Sequence, residues 1–311
     1  MTTRLFTAAM RLYPAAYRAD RGPELAAVYA DTTAGAGRLA AARELAGIAG
    51  YGLRLRTGLT SAAPGGRLLA VAAPLVLAAG AGTALPDLLL PVLSNPWRHG
   101  LDTQMLLFVL IAAGQFAAAV AGLAGRWTLA RLLVLPAVLG ALGVAYLRIA
   151  QMLSPAFPGF SFGAVVWLGS TLLPPLIWSV FVLAAPPDLL PRASARRGFG
   201  AAALAVGALV LYSGSGLFMH GSSEMFLVVP LVSAGLMALG LAAAARGHHL
   251  PVAVVLALLP GMVGENLGRM YLMFGDLQAS VLVLVAAVGF VASVALLIRR
   301  GRSAELPPAV G

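Results

Sequence analysis

An all-α, polytopic membrane fold is what this sequence predicts, and three observations predict it. Of the 311 residues, 60% are hydrophobic and only 10% charged, against roughly 25% charged in an ordinary soluble domain. That much apolar surface does not fit inside one soluble core, so lipid has to solvate part of it. The apolar residues gather into eight segments of spanning length, roughly 68–86, 104–124, 129–150, 162–185, 199–219, 225–245, 250–274 and 278–298. The arginines fall mainly in alternate connections between those segments. Arg54, Arg56 and Arg67 precede the first span, Arg126 and Arg131 fill the second connection, and Arg192, Arg196 and Arg197 the fourth. Arg246 marks the sixth, and Arg299, Arg300 and Arg302 follow the last span. The opposite side carries only Arg98, Arg148 and Arg269. Positive charge stays inside, so both termini are expected in the cytoplasm of a multi-pass plasma-membrane protein.

Residues 1–66 read as a separate small helical cytoplasmic domain, ahead of a transmembrane domain over 67–300 and a tail over 301–311. The domain and the arginine that follows it hold nine arginines against four acids, Asp20, Glu24, Asp31 and Glu44. Leu5, Phe6, Ala9, Leu12 and Tyr13 recur at helical spacing until Pro14 breaks the run. Asp20 and Pro23-Glu24 look like the N-cap and first turn of a second helix, which Gly35 and Gly37 end. Leu45, Ile48, Ala49 and Leu53 mark one face of a third, flanked by Arg43, Arg54 and Arg56. Such a helix either lies against anionic headgroups or is simply solvated through its arginines. The apolar residues Leu5 to Tyr13 are too few for a signal peptide, so the first true span is expected to direct insertion.

Leu12-Tyr13-Pro14, then Tyr17-Arg18, then Gly22-Pro23-Glu24-Leu25 resembles the short N-terminal permease-prefix pattern. That pattern precedes some ABC-transporter permeases and many uncharacterised actinobacterial integral membrane proteins. The resemblance covers about 14 residues, and Arg21 stands where the pattern usually has an aromatic or His. It implies that Pro14 starts the second helix, that Arg18 pairs with Glu24, and that Tyr13 and Tyr17 supply the core. It also implies a partner for residues 1–66, an ATPase subunit or a regulator. No Walker A motif is present, so the chain carries no nucleotide motor of its own.

Within the spans, a constant offset relates Pro136 and Gly140 to Pro260 and Gly264, and Leu107 and Arg126 to Leu227 and Arg246. Leu75-Val76-Leu77 with Gly80 and Gly82 recurs as Leu209-Val210-Leu211 with Gly214 and Gly216. A 4+4 parallel repeat would produce this, with the Pro186-Pro187 to Arg197 connection as its linker; chance matches between alanine- and leucine-rich helices would too.

The seventh segment, Leu250 to Phe274, is the one around which the others are expected to pack. It is interrupted by Pro260, Gly261, Gly264 and Gly268 and carries Glu265, Asn266 and Arg269. An ionisable group in a span is costly unless it faces protein or water. Glu265 and Arg269 stand four residues apart and can pair, with Arg148 at the same side of the bilayer and Asp87, Asp102, Glu224 and Asp276 adding carboxylates. Two readings stand side by side: an outward-opening polar pocket for a small solute or lipid headgroup, and a packing ion pair that fixes helix depth.

Other chemistry is excluded or weak. Zero cysteines remove disulfides and thiol chemistry. His220 and Glu224 lack a third ligand, so no metal is expected. His248 and His249 border a turn and read as solvated. Ser213-Gly214-Ser215-Gly216 imitates a nucleophile turn, but Ser213 stands where the hydrolase elbow needs glycine. The formal charge of +10 comes with no lysine at all and with abundant alanine and glycine. That points to coding bias rather than selection for guanidinium chemistry, and nucleic acid is not expected as a partner. No cofactor motif occurs. The expected function is therefore that of a permease-like, non-enzymatic, transport-associated or regulatory membrane subunit. The alternative is an autonomous transporter of a small solute through a polar pocket near the outer leaflet. Substrate and oligomeric state are not legible.

Overall fold

The computed structural model describes residues 2–93, 102–153, 162–192, 200–208, 228–274, 285 and 287–296, with 265–274 described as backbone alone. Every regular element among them is helical: α1 (Thr2–Met10), α2 (Ala15–Thr33), α3 (Arg38–Thr57), α4 (Pro64–Leu93), α5 (Thr103–Leu123), α6 (Trp127–Met152), α7 (Phe162–Ala184), α8 (200–208), α9 (Val228–Ala245), α10 (His249–Phe274) and α11 (287–296). The chain divides into two compact units after Arg67, in the first turn of α4.

In the first unit, α1 and α2 both pack on α3. Tyr13 is its anchor, only 2% exposed. The ring stacks on Tyr17 at 5.4 Å between centroids, and its hydroxyl donates to the Ile48 carbonyl at 2.8 Å. Gly52 is required beneath that ring, because a methyl there would meet it at 2.5 Å. Phe6 stacks on Tyr29 at 4.9 Å and ties α1 to α2.

Three expectations for this unit are corrected. Helix α2 starts at Ala15, directly after Pro14, and runs through Pro23; Asp20 lies inside it and caps nothing. A proline inside a helix removes one backbone bond and is normally avoided, but here the residue sits on the exposed side. Glu24 accepts from Arg21 at 2.9 Å. Arg18, six residues away, projects from a different side of the helix, whereas three residues is a neighbour spacing. Leu53 is 50% exposed and lies on the outward side of α3, while Leu45, Ile48 and Ala49 are half-buried.

In the second unit, three helices are long and apolar enough to cross a membrane by length and composition: Pro64–Pro86, Thr103–Leu123 and Trp127–Gln151. Shorter apolar helical stretches cover Leu168–Ala184, Ser233–Ala245, His249–Gly264 and Ala287–Leu296. Helix α6 shows how they pack. Its inner stripe is Ala130, Val134, Ala137, Ala141 and Val144, all fully buried. Its outer stripe is Leu132, Leu135, Leu139, Leu142, Tyr146 and Ile149, all exposed, Leu139 at 65%. Small residues inside and large apolar ones outside is the reverse of a water-soluble core. It is consistent with a membrane protein, in which helices associate by close backbone approach and lipid solvates the leucines.

Helix α10 is the innermost described element, buried nearly all round from Val252 to Gly264. It packs chiefly on α7 and α9, while α6 packs on α5 and α7. Glycines set the closest crossings. A methyl on Gly140 would meet the Leu107 carbonyl at 3.0 Å, and one on Gly264 the Ser170 carbonyl at 2.5 Å. Gly82 faces the Ala205 carbonyl, bringing α4 onto α8, and Gly240 receives the Phe290 ring of α11.

Candidate functional site

The polar groups described inside the bundle centre on α7. Pro174 and Pro175 lie inside this helix, and neither has an N–H for the carbonyl four residues earlier. Just past them, Ser179 donates to the Pro175 carbonyl at 2.7 Å. Gln115 of α5, 1% exposed, donates through Nε2 to the same carbonyl at 3.2 Å and to Ser179 Oγ at 3.3 Å. Its Oε1 accepts no hydrogen bond and rests against Gly80 of α4, where a methyl would come within 2.8 Å of it. A buried acceptor without a hydrogen-bond partner costs about 1–3 kcal/mol. Trp178, next to Ser179, donates to the Ala257 carbonyl of α10 at 2.8 Å. That carbonyl adjoins the one at Leu256, which Pro260 deprives of its in-helix donor. Gln115, Ser179 and Trp178 thus join α5, α7 and α10 through a line of buried amide, hydroxyl and indole groups.

At the C-terminal end of α7, Arg131 donates to the Val182 carbonyl at 3.3 Å and to the Ala185 carbonyl. Trp127 donates to the Pro191 carbonyl at 2.7 Å. A guanidinium over the last carbonyls of a helix meets the negative end of its dipole. This clamps the start of α6 to the end of α7.

The residues singled out from sequence fall as follows. Glu265, Asn266 and Arg269 occupy consecutive turns of α10, and their side chains lie outside the described part of the molecule. Gly264, directly before Glu265, is where α10 meets α7 at Ser170 and Pro174. Arg148 sits near the end of α6 and donates to Gln151 at 2.9 Å. Asp102 is the N-cap of α5 and accepts from the Met105 amide at 2.7 Å. His248 and His249 are exposed. Glu224, Asp276, His220 and the Ser213–Gly216 stretch lie outside the described residues, as does the Leu209–Gly216 half of the repeat motif.

Sequence reasoning passed over Gln115, Ser179 and Trp178. A signal existed for the first: between Gln104 and Leu123 it is the sole side chain of α5 with a polar group, and a lone amide in a span seeks a partner. Ser179 and Trp178 carried no such mark. No protein family, no curated protein and no solved structure matches the chain.

Proposed function

We propose that the chain is a permease-like, non-enzymatic membrane subunit, spanning the plasma membrane eight times with both termini cytoplasmic, whose residues 1–66 dock a partner. The partner is an ATPase subunit or a regulator. One observation carries the reading: a compact, arginine-rich three-helix unit precedes a second unit built from apolar helices. The prefix-like residues 12–25 support it, because Tyr13 and Tyr17 are organising aromatics of that first unit. The arginine asymmetry between connections supports the topology. The parallel repeat is weaker: Gly140 meets α5, whereas Gly264 meets α7, so the two matched positions have unmatched neighbours. The test is co-purification from native membranes with the full chain and with a form lacking residues 1–60. Both should insert, and only the full chain should retain the partner. Equal recovery with the shortened form would end the docking role.

A second reading, transport of a small solute by the chain alone, is favoured by one crossing. Two proline-interrupted helices, α7 and α10, meet at Ser170 and Gly264, one residue before Glu265. Interrupted helices at the middle of a bundle are where transporters hold solutes and ions. In this reading Glu265, Asn266 and Arg269, with Arg148 on the same side, line the route. Glu265→Gln separates the alternatives. For a structural pair it lowers detergent stability and is partly relieved by adding Arg269→Gln. For a binding site, stability holds and solute uptake by the purified chain disappears.

A further inference from the structure

Helix α3 has an outward side that the first unit leaves uncovered. Leu39, Ala46 and Leu53 follow one another at seven-residue spacing, two helical turns each, and all three are exposed, Leu39 at 86%. Arg38 and Arg56, five turns apart, share one flank of this line, and Arg43 lies on the other. The helix has one acid, Glu44, which by the same geometry projects well away from the line. Opposite it, Gly52 carries Tyr13, and the Ile48 carbonyl accepts from the Tyr13 hydroxyl. One side of α3 is therefore committed to the core of its unit, and the other presents Leu39, Ala46 and Leu53 between the exposed Arg38 and Arg56 on one flank and Arg43 on the other.

We infer that this outward side of α3 lies on the anionic lipid surface of the membrane in which the following helices sit. The chemistry selects lipid phosphate over a protein groove. The leucines insert only to the depth of the acyl boundary, and long arginine side chains on both flanks reach back to phosphates at headgroup level. No carboxylate of α3 itself lies on that side. Chain length agrees: α3 ends at Thr57 and α4 begins at Pro64, so the connector is at most roughly 20 Å long when extended. A surface helix held that close to a span meets the bilayer at high effective concentration. The inference does not depend on partner docking, for which α1 and α2 retain exposed Leu5 and Val28.

The absence of cysteine makes a direct test available in the full-length protein. Ala46→Cys places an environment-sensitive fluorophore on the outward line, and Glu44→Cys places one away from it. Each labelled chain is reconstituted in nanodiscs of phosphatidylcholine alone and of phosphatidylcholine mixed with phosphatidylglycerol. At Ala46 the emission should shift to the blue and become shielded from an aqueous quencher only in the anionic discs. High salt should reverse the shift, because screening shortens the reach of the arginines to about 3 Å at 1 M. Arg38→Gln, Arg43→Gln and Arg56→Gln, all at exposed positions, should each weaken lipid association about fivefold while leaving the helical circular dichroism intact. An Ala46 signal identical in neutral and anionic discs would overturn the inference. So would a Glu44 label that responds as strongly as Ala46. Shielding of Ala46 in both lipids, unaffected by the arginine substitutions, would mean that protein covers the face instead.

Discussion

Tyr13 holds the first unit together through one ring and one hydroxyl, and both leave a measurable signature. Burial, followed by the neighbouring Tyr17 and Tyr51, pushes its phenol up to about 12 from the usual 10. The fold therefore holds this proton more tightly than the unfolded chain does. The associated stability is complete below pH 10 and fades as the pH rises towards about 12. Tyr13→Phe keeps the ring and loses the bond to Ile48, so it should cost about 1 kcal/mol at neutral pH and flatten that alkaline loss. Near-UV circular dichroism melts at neutral pH and at about pH 11 read both effects. Gly264 is the corresponding test in the second unit. A methyl would lie 2.5 Å from a backbone oxygen and 2.8 Å from a proline ring, neither of which can rotate away. Gly264→Ala should destabilise by about 1–3 kcal/mol. On Gly80 a methyl would press on the amide end of the Gln115 side chain at 2.8 Å and reach the Trp178 ring at an ordinary 3.4 Å, so Gly80→Ala should cost less. Denaturation of both variants in the same detergent ranks them; equal costs would contradict this account of the two crossings.

Helix α6 is the element whose two sides make the clearest contrast. Ala137 lies on its fully buried stripe and Leu139 on its exposed one, two residues apart. Ala137→Leu overpacks the contact with α5 and should lose about 1–3 kcal/mol. Leu139→Ala removes more apolar surface, yet should change stability by less than about 0.5 kcal/mol, because lipid or detergent replaces what it touched. Detergent denaturation curves for the pair decide it, and an inverted order would mean that α6 faces protein on both sides. The ends of α5, α6, α7 and α10 fall within two residues of the apolar segments read from sequence. Local spacing misplaces the start of α2 because Pro23 and Glu24 imitate a first turn; Pro14 supplies the start, as the prefix resemblance implies, and the interior proline is tolerated on the exposed side.

For the whole molecule, the proposed eight-span arrangement predicts where reporters emerge. Fusions after Arg67, Arg197 and Arg302 should report cytoplasm and one after Asp102 the outside, since positive charge resists translocation. A cytoplasmic signal after Asp102 would reverse the first hairpin and, with it, the side on which Glu265 lies.

What the amino-acid order determined alone was local: which stretches are apolar, where α5, α6, α7 and α10 begin and end, and which connections carry charge. Each follows from side-chain transfer energies and backbone bonding within a few residues. Which side of each helix turns inward was decided only by tertiary structure. In a water-soluble helix the apolar period reveals that side, but a span is apolar all round, and the period disappears. A contrast between small and large residues remains, and on α6 it becomes readable once Ala137 and Leu139 are seen to face opposite ways. The polar line through Gln115, Ser179, Trp178 and Ala257 joins residues 60 to 79 positions apart. No local pattern marks them as neighbours; the packing of α5, α7 and α10 brings them together.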